Sequence, residues 1–172
     1  VLSTIRKAHQ AGYRVEAGAL AVPPVLSLAG MLSRYYEARE AGKPARWASL
    51  SAHDQAVTAL PLTVEEVAGC HDVATLTILD RTGQILNPDS QATRTTWAPV
   101  LITTHLQRRL TADEQRSLEL QIGTIADLRE RCHASPVEDQ VWTRLLERCS
   151  ALENSTPLGP SSVEQGESSL LE

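Results

Sequence analysis

Residues 111–152 read TADEQRSLELQIGTIADLRERCHASPVEDQVWTRLLERCSAL. Within this stretch, apolar side chains recur every three or four positions on both sides of a short polar link, which is the spacing of an amphipathic helix. Thr111 and Ser135 each precede a glutamate by three residues, and this spacing is typical of a capping box at a helix start. The pattern predicts two helices, at 112–133 and 136–152, that lie antiparallel across the link.

The segment upstream adds a third clear helix and several short ones. Pro23 and Pro24 suit the first turn of a helix, and apolar residues follow at helical spacing as far as Tyr36. Pro61 interrupts a later helical pattern because proline lacks the backbone N–H donor. We therefore predict separate helices on its two sides, the second capped by Thr63. The predicted short helices occupy residues 3–11, 51–60, 63–69 and 99–110.

One segment favours β-structure. Residues 73–79 are rich in β-branched side chains, residues 80–83 have the composition of a turn, and residues 84–86 suit a returning strand. This pattern predicts a β-hairpin whose turn ends in glycine. Residues 12–22 are interpreted as irregular or weakly extended. The predicted fold is mainly α, a compact helical domain with one small β-hairpin and an extended C-terminal tail.

The composition changes near residue 154. We predict that residues 1–153 form a single mainly helical domain and that residues 154–172 form a polar, acidic tail. The tail contains too few apolar side chains to fold alone, so we expect it to be extended. Its acidic residues would find a match on the basic N-terminal half, near Arg34, Arg39 and Arg46.

The overall composition is that of a globular protein, with 42% hydrophobic residues and no phenylalanine. The three cysteines are odd in number and follow no framework spacing, which favours a reducing compartment. We find neither a secretory signal pattern nor an uninterrupted apolar run of membrane-spanning length. The expected location is the cytoplasm, or a particle assembled there, and no membrane contact is expected.

Charge is unevenly distributed along the chain. Residues 1–60 carry seven basic and four acidic residues, whereas residues 111–172 carry five basic and twelve acidic residues. Fourteen of the sixteen basic residues are arginine, which is typical of a GC-rich genome and favours a bacterial or viral source. The basic half predicts an interaction patch that consists of Arg34, Arg39, Lys43, Arg46 and Trp47.

Candidate catalytic and metal-binding residues are few. Cys70-His71 and Cys132-His133 are adjacent pairs, whereas zinc ligands are usually spaced by about two to four residues, so we predict no metal site. The pair His53-Asp54 would suit a metal-dependent phosphohydrolase, but no further ligands can be placed. We interpret Asp54 instead as a carboxylate that caps a helix N-terminus. The chain contains no G-x-x-x-x-G-K-[ST] loop and no G-x-S-x-G elbow, so no catalytic residue and no cofactor is predicted.

These observations favour a non-enzymatic protein-protein interaction or assembly protein, such as a component of a phage particle or an adaptor of a mobile element. Its partner would be another protein or a second copy of the chain. The alternative is a DNA-binding regulator with a winged-helix-like core, in which residues 80–83 form the tip of the wing. Nucleic acid is the less favoured partner because the chain as a whole is acidic. A small hydrolase is the third hypothesis.

Overall fold

The computed structural model describes residues 1–87 and 91–154 of the chain. Helices account for most of these residues, and two strands form a small sheet, so the predicted mainly α fold is confirmed. In chain order, the elements are α1 (Leu2–Gln10), β1 (Val15–Leu20), α2 (Pro24–Glu40), α3 (Leu50–Gly69), β2 (Val73–Leu79), α4 (Arg94–Gln107), α5 (Ala112–Arg131) and α6 (Pro136–Asn154).

The two strands are parallel, with Val15 opposite Val73 and Leu20 opposite Leu79. A parallel pair needs a long crossover connection, and here α2 and α3 lie between the strands in the chain. The carboxyl ends of both strands therefore lie at the same edge of the sheet. This edge positions the candidate site described below.

The predicted β-hairpin is wrong in its pairing. The chain does turn after β2, where the Asp80 carboxylate accepts hydrogen bonds from two backbone N–H groups and Gly83 has a φ of +86°. Among the described residues, however, the returning segment contributes one isolated antiparallel bridge, between Leu79 and Ile85. The ladder partner of β2 is β1. This segment was expected to be irregular or weakly extended, and its alanine, glycine and glutamate residues are weak strand formers.

Among the described residues, two hydrophobic clusters stabilise the fold. The first lies where α2 packs against α5 and α6, and the second surrounds the sheet between α1, α3 and α4. Each large aliphatic side chain contributes on the order of 1.5–3 kcal/mol when it is fully buried. The largest fully buried side chains include Tyr36, Leu28, Leu32, Leu76, Ile78, Ile102, Ile125 and Leu145.

The two helices predicted from residues 111–152 are present as α5 and α6. Thr111 and Glu114 form the predicted capping box at α5. At the start of α6, the backbone N–H of Ser135 donates to Glu138 Oε2 at 2.6 Å. Both helices have α2 as their closest packing partner, and the direct backbone contact between them is slight. Instead of packing mainly against each other as an antiparallel pair, α5 and α6 both pack against α2.

Helix α3 is continuous, although Pro61 lies inside it. The prediction of two separate helices is wrong, because Val64 and Val67 beyond the proline are buried in the second cluster and keep the helix in place. The hydroxyl of Thr63, which was expected to cap the second helix, instead donates to the backbone carbonyl of Ala59 at 3.0 Å. Packing thus outweighs the single backbone hydrogen bond that proline removes.

No helix within residues 1–87 and 91–154 is long and apolar enough to cross a membrane. The predicted acidic tail falls almost entirely on residues 155–172, which lie outside the described residues. Its extended conformation and its docking near Arg34, Arg39 and Arg46 therefore stay predictions.

Candidate functional site

A cavity of about 800 Å³ opens beside the sheet, between β1, α2 and α3. Residues of β1 line one side, and the face of α3 that contains Ala56, Val57 and Leu60 lines another. Leu20 at the end of β1 and Arg81 just after β2 also line it, so the cavity reaches the carboxyl edge of the parallel strands. Ligands of open sheets with parallel strands bind at this edge.

Two guanidinium groups meet at this cavity over Gly30, in the middle of α2. A Cβ atom on Gly30 would lie 3.3 Å from Nη1 of Arg34 and 3.8 Å from Nη2 of Arg81. Arg81 is oriented by its hydrogen bonds to the backbone carbonyl of Leu26, at 3.5 Å, and to Oε1 of Gln121, at 3.0 Å. Because Gly30 has no side chain, the guanidinium groups of Arg34 and Arg81 can both lie beside its Cα atom.

The arginine pair has the chemistry of an anion site. No aspartate or glutamate from the described part of the chain lines the cavity, whereas Arg34 and Arg81 both do. A guanidinium presents several N–H donors in a fixed plane, which matches the oxygen atoms of a phosphate group. Arg34 and Arg81 are therefore placed to bind a phosphate between them.

A second set of polar groups lies on α3. His53 lines the same cavity, and its side chain is only 7% exposed. The imidazole Nδ1 lies 3.0 Å from Oδ1 of Asp54, and Nη2 of Arg148 donates to the other carboxylate oxygen at 2.7 Å. The hydrogen bond from Arg148, and then that from His53, lowers the pKa of Asp54 despite its partial burial. Asp54 is therefore a carboxylate at neutral pH.

The prediction that Asp54 caps α3 is wrong. The N-cap is Ser49, whose side chain accepts a hydrogen bond from the backbone N–H of Ala52 at 3.2 Å. Asp54 lies beyond the first turn of the helix and binds His53 and Arg148 instead. Because Arg148 is 94 positions away in the chain, no local sequence pattern could have indicated this contact.

Arg39 belongs to a different, partly buried network. Its Nη1 donates to Oε1 of Glu138 at 2.7 Å, and its Nη2 donates to the backbone carbonyl of Cys132 at 2.8 Å. The hydroxyl of Tyr35 donates to Glu138 as well. Burial alone would raise the pKa of Glu138, but the hydrogen bonds and the charge of Arg39 outweigh it and keep that pKa below its usual value. The network joins α2 to α6 and is structural.

The residues of the predicted basic patch make different contacts in the described part of the chain. Arg34 lines the cavity, whereas Arg39 is paired with a glutamate. Trp47 packs against the ring of a tyrosine in α2, with centroids 4.8 Å apart. Lys43 and Arg46 lie exposed in the connection between α2 and α3. The role of this patch in binding a partner stays a prediction.

The two Cys-His pairs do not meet, because Cys70 packs against the cluster around the sheet and Cys132 against the cluster around α2. Sγ of Cys132 lies 3.9 Å from the backbone carbonyl of Tyr36. In the described ranges, no group of three or more histidine, cysteine, aspartate or glutamate side chains is arranged to hold a metal ion. Neither pair therefore contributes to the candidate site.

Sequence reasoning missed Arg81 and Gly30, and it assigned His53 no role. Arg81 was considered only as part of a turn. Its position directly after a strand would have been informative if the parallel pairing of that strand had been recognised, since ligand-binding residues follow the carboxyl ends of parallel strands. Gly30 stands in the middle of a helical pattern, and this position was the available signal. A glycine there suggests that another group packs closely against the helix backbone.

A protein-family model described as Zeta toxin matches residues 2–91, which is just over half of the chain. The matched region runs from α1 through β2 and contains Arg34, His53 and Arg81. Arg148, in α6, lies outside it. No curated protein matches the chain.

The family match overturns the predicted function. It points to a P-loop kinase-like toxin, so the prediction of a non-enzymatic interaction or assembly protein is wrong, as are the alternatives of a DNA-binding regulator and a small hydrolase. The same match overturns the expected role in assembly and protein binding. Whether the chain associates with itself or with another partner stays a prediction. Residues 1–172 contain no glycine-rich phosphate loop, which is the sequence motif that would have indicated a kinase of this type.

Proposed function

The chain belongs to the Zeta toxin family, and we therefore propose that it functions in a P-loop kinase-like toxin. Its role there is to bind the phosphate groups of a ligand. Arg34 and Arg81 are the residues that bind them. The observation that carries the proposal is the convergence of the two guanidinium groups over Gly30, in a cavity that no acidic side chain of residues 1–87 and 91–154 lines.

The role of these arginines follows from the charge of the reaction. In phosphoryl transfer, negative charge is spread over the oxygen atoms of the transferred group, and the protein contributes by positioning that group and stabilising its charge. Donors that are already oriented do this best because they need no reorganisation during the reaction. Arg81 meets this condition through its bonds to Leu26 and Gln121. Arg34, in α2, is the second arginine of the pair.

We propose contacts between side chains and phosphate only. Because the chain contains no G-x-x-x-x-G-K-[ST] segment, we assign no role to a phosphate loop. Kinase reactions also use Mg²⁺, which prefers carboxylate oxygens and water. The described residues that line the cavity include no carboxylate, and we assign none of them to a metal.

Calorimetric titration of the full chain with inorganic tripolyphosphate tests the proposal. We expect binding that weakens about tenfold or more in Arg34→Ala and in Arg81→Ala, because each removes a charged hydrogen-bond donor. Arg116→Ala is the control, since Arg116 is exposed on α5 and pairs with Asp113. Equal affinity in all four proteins, or no binding to the unaltered chain, would overturn the proposal.

A further inference from the structure

The guanidinium of Arg81 is held by a residue outside the region that matches the family. Nη2 of Arg81 donates to Oε1 of Gln121, in α5, at 3.0 Å, and the matched region ends at residue 91. The other acceptor on this guanidinium, the carbonyl of Leu26, lies at 3.5 Å, which is longer than a typical hydrogen bond. Gln121 is therefore the stronger of the two restraints on Arg81.

Both acceptors that hold Arg81 are uncharged. A carbonyl or an amide oxygen orients a guanidinium and leaves its positive charge uncompensated, whereas a carboxylate binds it as an ion pair. Within residues 1–87 and 91–154, no carboxylate forms an ion pair with Arg81. Eight other arginines each form one: Arg14, Arg39, Arg108, Arg116, Arg129, Arg131, Arg144 and Arg148.

The composition of α5 makes the amide at this position informative. The helix spans 20 residues and contains five acidic side chains, namely Asp113, Glu114, Glu119, Asp127 and Glu130. The side chain that reaches Arg81 is nevertheless Gln121. An acidic residue at the same position would accept the same hydrogen bond and would add an ion pair. The amide thus keeps the charge of Arg81 available to another anion.

The two hydrogen bonds also leave donors of Arg81 free for a ligand. A guanidinium has five N–H donors, of which Nη1 and Nη2 carry two each. Leu26 takes one hydrogen of Nη1, and Gln121 takes one of Nη2. Nη2 is also the atom that would lie 3.8 Å from a Cβ on Gly30. Gln121 therefore fixes the nitrogen that borders the space between the two arginines and does not saturate it.

We infer that Gln121 is a positioning residue of the phosphate site, which acts through Arg81. Its amide orients the guanidinium towards the anion and leaves the positive charge uncompensated. The inference rests on the proposed function, because Arg81 binds the phosphate. It adds that the site is completed by α5, a helix beyond the matched region, and that a carboxylate in place of Gln121 would weaken phosphate binding without weakening the fold.

Replacing Gln121 by glutamate separates this role from a structural one. Gln121→Glu retains an acceptor for Nη2, so a structural contact would be preserved or strengthened. We expect an unchanged or higher unfolding temperature together with tripolyphosphate affinity that is about tenfold lower or less, because the new carboxylate competes with the anion for Arg81. Gln115→Glu, an exposed change on the same helix with the same change in charge, is the matched control.

Replacing Gln121 by methionine tests the orientation alone. Methionine has a similar length and helix propensity but is only a weak acceptor. Gln121→Met should lower the affinity for tripolyphosphate about threefold to tenfold, because Arg81 keeps its charge and loses one hydrogen bond. Nitrogen NMR of labelled arginine, with the Arg81 signal assigned by its loss in Arg81→Ala, should show faster rotation of this guanidinium in Gln121→Met and not in Gln115→Glu.

Calorimetric titration of the full-length variants with tripolyphosphate decides the inference. It is overturned if either Gln121 variant binds as tightly as the unaltered chain, or if Gln115→Glu loses as much affinity as Gln121→Glu. Failure of the proposed function gives a different result, because the unaltered chain would then not bind tripolyphosphate at all, and the inference would fall with it. Binding that both Gln121 variants retain overturns the inference alone.

Discussion

Arg148 in α6 holds the carboxylate of Asp54 in α3, with its Nη2 2.7 Å from Oδ2. Asp54 lies inside the region that matches the Zeta toxin family, and Arg148 lies beyond its last matched residue, 91. The orientation of the His53 ring therefore depends on a helix outside the matched region. This dependence can be examined by changing Arg148 alone.

Arg148→Met should affect the ionisation of Asp54 more than the stability of the fold. The two side chains are 30% and 41% exposed, and ion pairs of this kind contribute at most about 1 kcal/mol. The pKa of Asp54 should rise towards its usual value, because the hydrogen bond from Arg148 is the main cause of its depression. Urea unfolding and a carboxyl NMR titration measure the two effects. Arg144→Met, which removes the pair with Glu147 on the same helix, should leave Asp54 unchanged.

Gly30→Ala should separate stability from phosphate binding. Alanine favours a helix over glycine by up to about 1 kcal/mol, but its Cβ would lie 3.3 Å from Nη1 of Arg34 and would displace that flexible side chain. We expect unchanged or higher stability together with tripolyphosphate affinity that is severalfold lower. Gly123→Ala in α5 is the control, because a Cβ there meets nothing within 4 Å. Undiminished affinity in Gly30→Ala would argue against a phosphate held over this residue.

Glu138→Gln should destabilise the junction of α2 with α6. Glu138 is 5% exposed and accepts hydrogen bonds from Arg39 and Tyr35. Loss of its charge weakens hydrogen bonds of the charged type, at a cost of about 1.5–3 kcal/mol. Denaturant unfolding measures this cost, and the exposed change Glu147→Gln should have little effect. Combining Glu138→Gln with Arg39→Met should recover part of the loss, because no partly buried guanidinium is then left without its carboxylate.

Acid should weaken the start of α5 through Glu114. Two hydrogen bonds from Arg108 are the main cause that lowers the pKa of Glu114 from 4.5 to about 2, and the backbone N–H of Thr111 adds to them. When folding lowers the pKa of a carboxyl, the resulting stabilisation is complete at any pH above the pKa that the group has in the unfolded chain. This contribution, on the order of 2–3 kcal/mol, should decline as the pH falls from about 5 to 2.

Thermal unfolding followed across this pH range tests the contribution of Glu114. Arg108→Met should remove most of the decline, because the carboxyl then titrates near its unfolded value in both states. Glu119→Gln, an exposed change on the same helix, should preserve it. An unchanged pH profile in Arg108→Met would contradict the assignment.

Local patterns predicted what local interactions determine. The capping box at Thr111 and the apolar spacing of α5 and α6 were sufficient to place both helices. β1 could not be found in this way, because its weak strand formers become a strand by pairing with β2. The family match in turn supplied the function that no motif in the chain carries.

The candidate site could not be predicted from local sequence patterns either. Arg34 and Arg81 come from different elements and meet over Gly30, and His53 is oriented through a residue of α6. Each of these side chains is unremarkable in its own sequence neighbourhood. Their proximity follows from the parallel pairing of the strands and the packing of α6, neither of which a single sequence displays.

The parallel pairing of β1 with β2 also has a kinetic consequence. The strands can join only after the chain between them, residues 21–72, has been brought into a closed loop, and the entropy of closure is lost before any strand hydrogen bond is gained. Contacts within the helices have no such requirement. We therefore expect strand pairing to be rate-limiting for folding, so that substitutions in Leu76 or Ile78 slow refolding more than equally destabilising substitutions in α6.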